Sequence, residues 1–161
     1  MSEIERIADQ IHNTYQHGFW GGGSIRELFR SFNDVEASSN PIHGGHSIWE
    51  IALHLSVWHK IFENRVLDIQ TVYHYNNDWP DPSPVSEENW LNVLDDLDKS
   101  NETLVNAVRN FRDEDLKLLV AGKKFSFYEM LHGISQHDQY HAGQVMILKK
   151  IIKQKNEEID E

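Results

Sequence analysis

Apolar residues recur at three- and four-residue spacing in four long segments of the chain, which is the period of an amphipathic α-helix. The first predicted helix covers about residues 2 to 17, and its apolar face carries Ile4, Ile7, Ile11 and Tyr15. The second runs from Ser47 to roughly Thr71. Glycines 21 to 23 are poor helix formers and predict a break after the first helix.

The third and fourth helices have the longest apolar stripes. Ser86 can cap the third helix, and Asn101 is a polar interruption in its stripe of Trp90, Leu94, Leu97, Leu104, Val108 and Phe111. The last helix begins at Ser126, and its stripe consists of Phe127, Leu131, Ile134, His137, His141, Val145, Leu148 and Ile151. Two histidines therefore occupy positions that should face the core.

Three Ser-x-x-Glu segments predict helix starts, because the Ser and Glu side chains can each bond the other residue's backbone N–H. They are Ser24–Glu27, Ser47–Glu50 and Ser126–Glu129, and the first begins a short helix through about Phe32. These elements predict an all-α fold, an antiparallel four-helix bundle with a longer, partly helical connection between the first and second long helices. We expect a single domain over 1–155 and a frayed tail over 156–161.

Charge and composition exclude several classes of function. The formal net charge of −11 opposes binding to nucleic acid, which normally requires a basic face. The charged N-terminus has no apolar run that would suit a signal sequence or membrane span, so a cytoplasmic location is expected. The absence of cysteine excludes disulfides, thiolate metal sites and a cysteine nucleophile.

The histidines are the candidate metal-binding residues. His137 and His141 are four residues apart, so their rings project from one face of the last helix. His54 lies on the inward face of the second helix, in step with Ile51, Trp58 and Ile61. Three imidazoles from two helices would leave coordination positions open on a metal ion, as catalytic sites do. The alternative is three core histidines with separate hydrogen bonds.

The remaining candidates have simpler interpretations. Glu50 is one turn before His54 and could be a fourth ligand, but the capping box is the preferred interpretation. Asp138 points away from His137, and His59 is expected on a solvent-exposed face. Gly143 predicts close approach of a neighbouring helix. Side chains that could support the histidines or wall a pocket are Gln136, Tyr140, Gln144, Trp20, Trp49 and Trp58.

Two segments of the chain resemble a known family. HSIWEIALHLSVWHK and HGISQHDQYHAGQVMILKK are similar to the signature segments of the DinB-like superfamily of four-helix-bundle proteins. The resemblance implies a divalent metal, often nickel or zinc, bound by His54, His137 and His141, and frequently a homodimer. Characterised relatives include thiol-dependent transferases and isomerases that act with bacillithiol, mycothiol or glutathione. Some relatives have a histidine after the loop tryptophan, whereas Gly21 follows Trp20 here.

These observations lead to a functional hypothesis. The protein is expected to be a metal-dependent enzyme that activates a low-molecular-weight thiol for transfer to a small-molecule electrophile, and the cysteine-free chain requires that thiol to be a cosubstrate. Metal-dependent hydrolysis is the second choice. The non-enzymatic alternative is a stress-related, dimeric metal-binding protein whose ion holds two helices together.

Overall fold

The chain folds into helices joined by irregular connections. The computed structural model describes residues 1–18, 20, 22–74, 76–82 and 84–160, and within these ranges it contains no β-strand. The helices are α1 (Glu3–Gln16), α2 (Ile25–Arg30), α3 (Asp34–Ser38), α4 (Ile48–Leu67), α5 (Glu87–Arg109) and α6 (Phe127–Asp160), with a 3₁₀ turn at Asp113–Asp115. The predicted all-α fold is confirmed, and α2 and α3 form the partly helical connection before α4.

Side-chain caps fix the helix starts that the sequence predicts. Ser47 Oγ accepts from the Glu50 N–H, and Glu50 accepts in return from the Ser47 N–H. The same exchange joins Ser126 and Glu129 at the start of α6. Ser86 caps α5 through the Asn89 N–H. Helix α4 ends at Leu67, four residues before the predicted end.

The apolar stripes of the long helices meet in the core. Helix α4 packs against α5 and α6, and α1 packs against the same two helices. The apolar positions predicted for the third long helix are all buried: Trp90, Leu94, Leu97, Leu104 and Val108 lie in α5, and Phe111 lies just beyond its end. Burial of each such side chain contributes about 1.5–3 kcal/mol, so these contacts set the relative positions of the helices.

Contacts between helices give their directions. The rings of Trp49 and Trp90 are 5.1 Å apart near the starts of α4 and α5, and Glu63 and Thr103 bond farther along both helices. Helices α4 and α5 are therefore parallel. Helices α1 and α5, in contrast, are antiparallel. Tyr15 near the end of α1 bonds Asp98 within α5, whereas the start of α1 bonds Asp113 beyond the end of α5. The predicted antiparallel arrangement is therefore not confirmed for α4 and α5. Both helices begin at the same end of the bundle, to which the chain returns between residues 68 and 86.

The C-terminal segment differs from the expectation of a frayed tail. The 156–160 segment, expected to be frayed, continues α6, and Glu157 and Glu158 are exposed. Gly22 and Gly23 lie outside the helices, as predicted, while Gly21 is not among the described residues. No helix in the described ranges has the length and apolar character needed to cross a membrane.

Candidate metal centre

Three histidines converge between α4 and α6. His54 comes from α4, while His137 and His141 lie one turn apart on α6. One nitrogen from each ring lies within 4.8 Å of the others, and His54 Nε2 is 3.3 Å from His137 Nε2. We call these residues the histidine triad. The predicted convergence is confirmed, whereas ligation of a metal stays a prediction.

The outer nitrogens of two triad rings are held by oxygen acceptors. His54 Nδ1 is 2.8 Å from the backbone oxygen of Asp78, and His141 Nδ1 is 2.8 Å from Gln144 Oε1. A carbonyl oxygen can only accept, so both Nδ1 atoms donate, and in the neutral form of each ring Nε2 carries a lone pair. Of the three side chains considered as supports, Gln144 has this role, whereas Gln136 and Tyr140 are exposed.

His137 differs from its two neighbours. Its Nδ1 is buried without a hydrogen bond, and Asp138 Oδ1 lies 3.6 Å away. Its side chain is 24% exposed, compared with 5% for that of His54. The triad is therefore most open to solvent on the His137 side.

Burial keeps two triad rings neutral. Desolvation lowers the pKa of His54 and lowers that of His141 to about 4, and the other triad rings add to the effect. The hydrogen bonds to Asp78 and Gln144 oppose these shifts without cancelling them. At neutral pH both rings are therefore in the form that binds metals.

An aromatic layer from the 76–82 segment covers His54. Trp79 stacks on His54, with ring centroids 3.9 Å apart. His46 in turn stacks on Trp79, with ring centroids 3.5 Å apart. Trp58 Nε1 donates to Asp78 Oδ1 at 2.6 Å, which ties the segment to α4. The sequence did not identify Asp78 or Trp79, because an irregular segment has no periodicity from which a face can be predicted.

The tryptophans proposed as pocket walls have different positions. Trp58 lies beside the triad, with its ring centroid 5.5 Å from that of His137. Trp49 packs in the core against Trp90, and Trp20 is fully exposed. Of the three tryptophans, only Trp58 therefore lies where it could form a wall beside the triad.

The prediction of an exposed His59 is wrong. His59 is fully buried, its Nε2 is 3.0 Å from Asp138 Oδ2, and its Nδ1 is 3.1 Å from Ser100 Oγ. Burial works to raise the pKa of Asp138, but the charge and hydrogen bonds of His59 and the proximity of His137 outweigh it and lower the pKa to about 2. We call His59 and Asp138 the buried pair. The buried pair lies between α4, α5 and α6. The apolar spacing of the sequence did not reveal it, because α4 is buried on more than one face.

Glu50 does not join the triad. Both of its capping-box bonds with Ser47 are present, and its carboxylate is also 3.4 Å from His46 Nδ1. In the described part of the chain, the group of side chains around His54 that could hold a metal ion contains imidazoles and no carboxylate. The preferred interpretation of Glu50 as a cap is confirmed.

The protonation pattern tests whether a cation fits the triad. If His137 carried its proton on Nε2, it could bond His54 Nε2, but its bare Nδ1 would face the Asp138 carboxylate. A proton on Nδ1 instead points toward Asp138 and leaves a lone pair on Nε2. In this form three neutral imidazoles would direct lone pairs at one point, which is the arrangement that binds a divalent cation. The donor set of nitrogens fits nickel or zinc equally well.

Comparison with known protein families agrees with the resemblance carried by the two motif segments. The family model of the DinB superfamily matches residues 22–145, which include every member of the triad. No curated protein and no solved structure matches the chain significantly. Because the matched region covers well over half of the sequence, the chain belongs to the DinB superfamily.

Proposed function

We propose that the protein is a metal-dependent enzyme that transfers a low-molecular-weight thiol to a small electrophile. The observation that carries the proposal is the triad, whose three imidazoles converge with no carboxylate in the group. A closed structural site supplies all of its ligands from the protein, whereas three protein ligands leave room for substrate. His54, His137 and His141 would hold nickel or zinc. The bound ion would favour the ionised form of a thiol or water molecule.

The surroundings of the triad support small-molecule chemistry. Asp78 and Gln144 orient two rings through their Nδ1 atoms, and Trp79 shields His54 from water. His137 is the more exposed ring, so substrate would approach from its side. Since the chain has no cysteine, the nucleophilic sulfur must come from a cosubstrate. Such thiols are abundant in the cytoplasm, the location that the sequence predicts.

Metal analysis of untagged protein is the first experiment. We expect about one nickel or zinc ion per chain, and His141→Ala should weaken the affinity by more than about 100-fold, exceeding the usual effect of losing a supporting hydrogen bond. The matched control is His132→Ala, because His132 is on the same helix but outside the triad. Equal metal affinities of the two variants would contradict the assignment.

Activity separates the proposed transferase from its alternatives. The metal-loaded protein would be assayed with bacillithiol, glutathione and mycothiol against electrophiles such as 1-chloro-2,4-dinitrobenzene. In that reaction a carbon–sulfur bond forms, the carbon–chlorine bond breaks, chloride leaves and the thiol proton passes to solvent. Rates equal to those of free metal and of His141→Ala would refute thiol transfer. Ester or amide hydrolysis by the same sample would instead favour a hydrolase.

The proposal includes a homodimer, as the resemblance implies. Sedimentation velocity at micromolar concentration should give about twice the mass of one chain. A single species with the mass of one chain would contradict it. A dimer that binds metal but lacks activity would favour the stress-related binding protein.

A further inference from the structure

A polar cavity of about 430 Å³ lies between α1, α2 and α5. This volume is in the range of small-molecule sites. Three residues with amide side chains line it, and they are Gln16, Asn101 and Asn106. None of the described residues in its wall belongs to α4 or α6, so the cavity is separate from the histidine triad. We call this cavity the amide pocket.

Asn101 lines the amide pocket at its buried end. It is the polar interruption in the apolar stripe of α5, between Leu97 and Leu104, and it is as fully buried as these two leucines. Within the described part of the chain, neither Asn101 Nδ2 nor Asn101 Oδ1 has a hydrogen-bond partner. A buried polar group without a partner destabilises the folded state, and an apolar side chain would avoid this penalty. A ligand that offers one acceptor and one donor would satisfy both atoms.

The charged residues of the pocket favour an uncharged ligand. Arg26 Nε donates to Asp98 at 3.0 Å, and an Arg109 nitrogen donates to Asp9 at 3.2 Å. Both arginines of the wall are therefore already paired with carboxylates, and the formal net charge of −11 further disfavours an anion. Glu102 also lines the pocket, but it is exposed, so water screens its charge. The unpaired groups at the buried end are those of a neutral amide.

We propose that the amide pocket binds a small uncharged molecule with a cis-amide edge, through two hydrogen bonds to Asn101. A side-chain amide presents an N–H donor and a C=O acceptor in one plane, and its complement is an amide whose N–H and C=O lie on the same side. Lactams and cyclic ureides such as uracil have this edge, whereas a trans peptide bond directs the two groups to opposite sides. Asparagine binds the edge of adenine through the same kind of paired hydrogen bonds.

Uracil and two of its isomeric dimethyl derivatives test the ligand class. Uracil and 5,6-dimethyluracil keep both N–H donors, whereas 1,3-dimethyluracil has lost them. In nitrogen-15 chemical-shift titrations of the full chain, uracil should shift the side-chain amide resonance of Asn101 and saturate. The 1,3-isomer should bind about tenfold more weakly than the 5,6-isomer, because it cannot donate to Asn101 Oδ1. Equal affinities of the two isomers, or no saturable binding of uracil, would overturn the proposal.

Two asparagine variants test the position of the ligand. Asn101→Leu should weaken uracil binding about tenfold or more, and it should raise the urea midpoint of the ligand-free protein because it removes a buried amide without a partner. Asn92→Leu is the matched control, since Asn92 is an exposed residue of α5 outside the pocket. Its uracil affinity should equal that of the unmodified protein. Unchanged uracil affinity in Asn101→Leu would overturn the assignment, and if that variant does not fold, the two isomers still decide.

The amide pocket and the histidine triad can be tested separately, because they share no residue. The titrations use metal-free protein, and His141→Ala should bind uracil as tightly as the unmodified protein does. Loss of uracil binding in His141→Ala would place the ligand at the triad and overturn the proposal. The site therefore does not depend on thiol transfer, and a protein that binds uracil without metal would support the pocket whatever the triad does.

Discussion

The histidine triad and the buried pair use the same side chain in opposite ways. In the buried pair, both nitrogens of His59 face oxygen atoms of Asp138 or Ser100. In the triad, oxygens engage the outer nitrogens of His54 and His141, while the inner nitrogens face another imidazole. A histidine with an oxygen at each nitrogen is satisfied by the fold alone. Converging imidazole nitrogens without oxygen partners can be joined by a cation, which distinguishes a candidate metal site from a structural contact.

The largest expected effect tests the structural role of the buried pair. His59→Leu removes the partner of a fully buried carboxylate, so the free energy of unfolding should fall by about 3–5 kcal/mol. Urea denaturation of metal-free protein would measure it. Ser100→Ala is the control, because loss of one hydrogen bond to His59 should lower that free energy by only about 1 kcal/mol. A loss below about 1 kcal/mol in His59→Leu would show that Asp138 does not depend on the ring.

The buried pair also shows why the sequence predicted one cluster and missed the other. Apolar spacing identifies one inward face for each helix, and His54, His137 and His141 all lie on such faces. Helix α4, however, packs against α3, α5 and α6, so its buried surface is wider than a single stripe. His59 lies on that wider surface and contacts Asp138 across the α4–α6 boundary. The position of a partner helix cannot be deduced from the phase of one helix.

The second prediction concerns the outer partner of a triad ring. Gln144→Leu removes the acceptor that orients His141 but leaves its Nε2 in place, so zinc affinity should fall about 10- to 100-fold. Competition with a chromophoric chelator would measure this change. Gln136→Leu alters an exposed glutamine on the same helix and should leave the affinity within twofold. Similar losses in both variants would contradict an orienting role for Gln144.

Local sequence chemistry predicted caps better than it predicted contacts between distant segments. The Ser-x-x-Glu patterns contain both partners of each cap, so their bonds at α4 and α6 follow from four residues. Gly143 was interpreted from helix propensity as a point of close approach, and this prediction is wrong, because an added Cβ would have no neighbour within 4 Å. Nothing in the structure explains this glycine. Asp78 contacts His54 across 24 residues of sequence, a distance at which local patterns carry no information.

Acid should affect the two clusters in different pH ranges. The pKa of His141 falls from 6.5 to about 4 on folding, so the unfolded chain binds more protons between these values. The free energy of unfolding of metal-free protein should therefore decrease as the pH falls from about 6.5 to about 4. Asp138 has a linkage of the same sign at lower pH, because its pKa, lowered from 3.8 to about 2, stabilises the fold above 3.8, and this stabilisation is lost as the pH falls through about 2.

Urea denaturation of the metal-free protein across this pH range would separate the two linkages. His141→Ala should have a flatter stability profile between pH 4 and 6.5, since it lacks the group whose pKa changes there. His132→Ala should retain the slope of the unmodified protein. An unchanged slope in His141→Ala would show that the triad does not dominate this range.

The smallest effect tests whether a carboxylate near the aromatic layer contributes to the triad. Glu50 bonds Ser47 at the start of α4 and approaches His46, which stacks on Trp79 over His54. If Glu50 acts only as a cap, Glu50→Ala should lower the free energy of unfolding by about 1 kcal/mol and leave zinc affinity within twofold. Ser47→Ala removes the other half of the capping box and should have a similar effect on stability. Loss of more than tenfold in zinc affinity in Glu50→Ala, but not in Ser47→Ala, would instead place this carboxylate with the triad, because only one of the two variants removes a possible ligand.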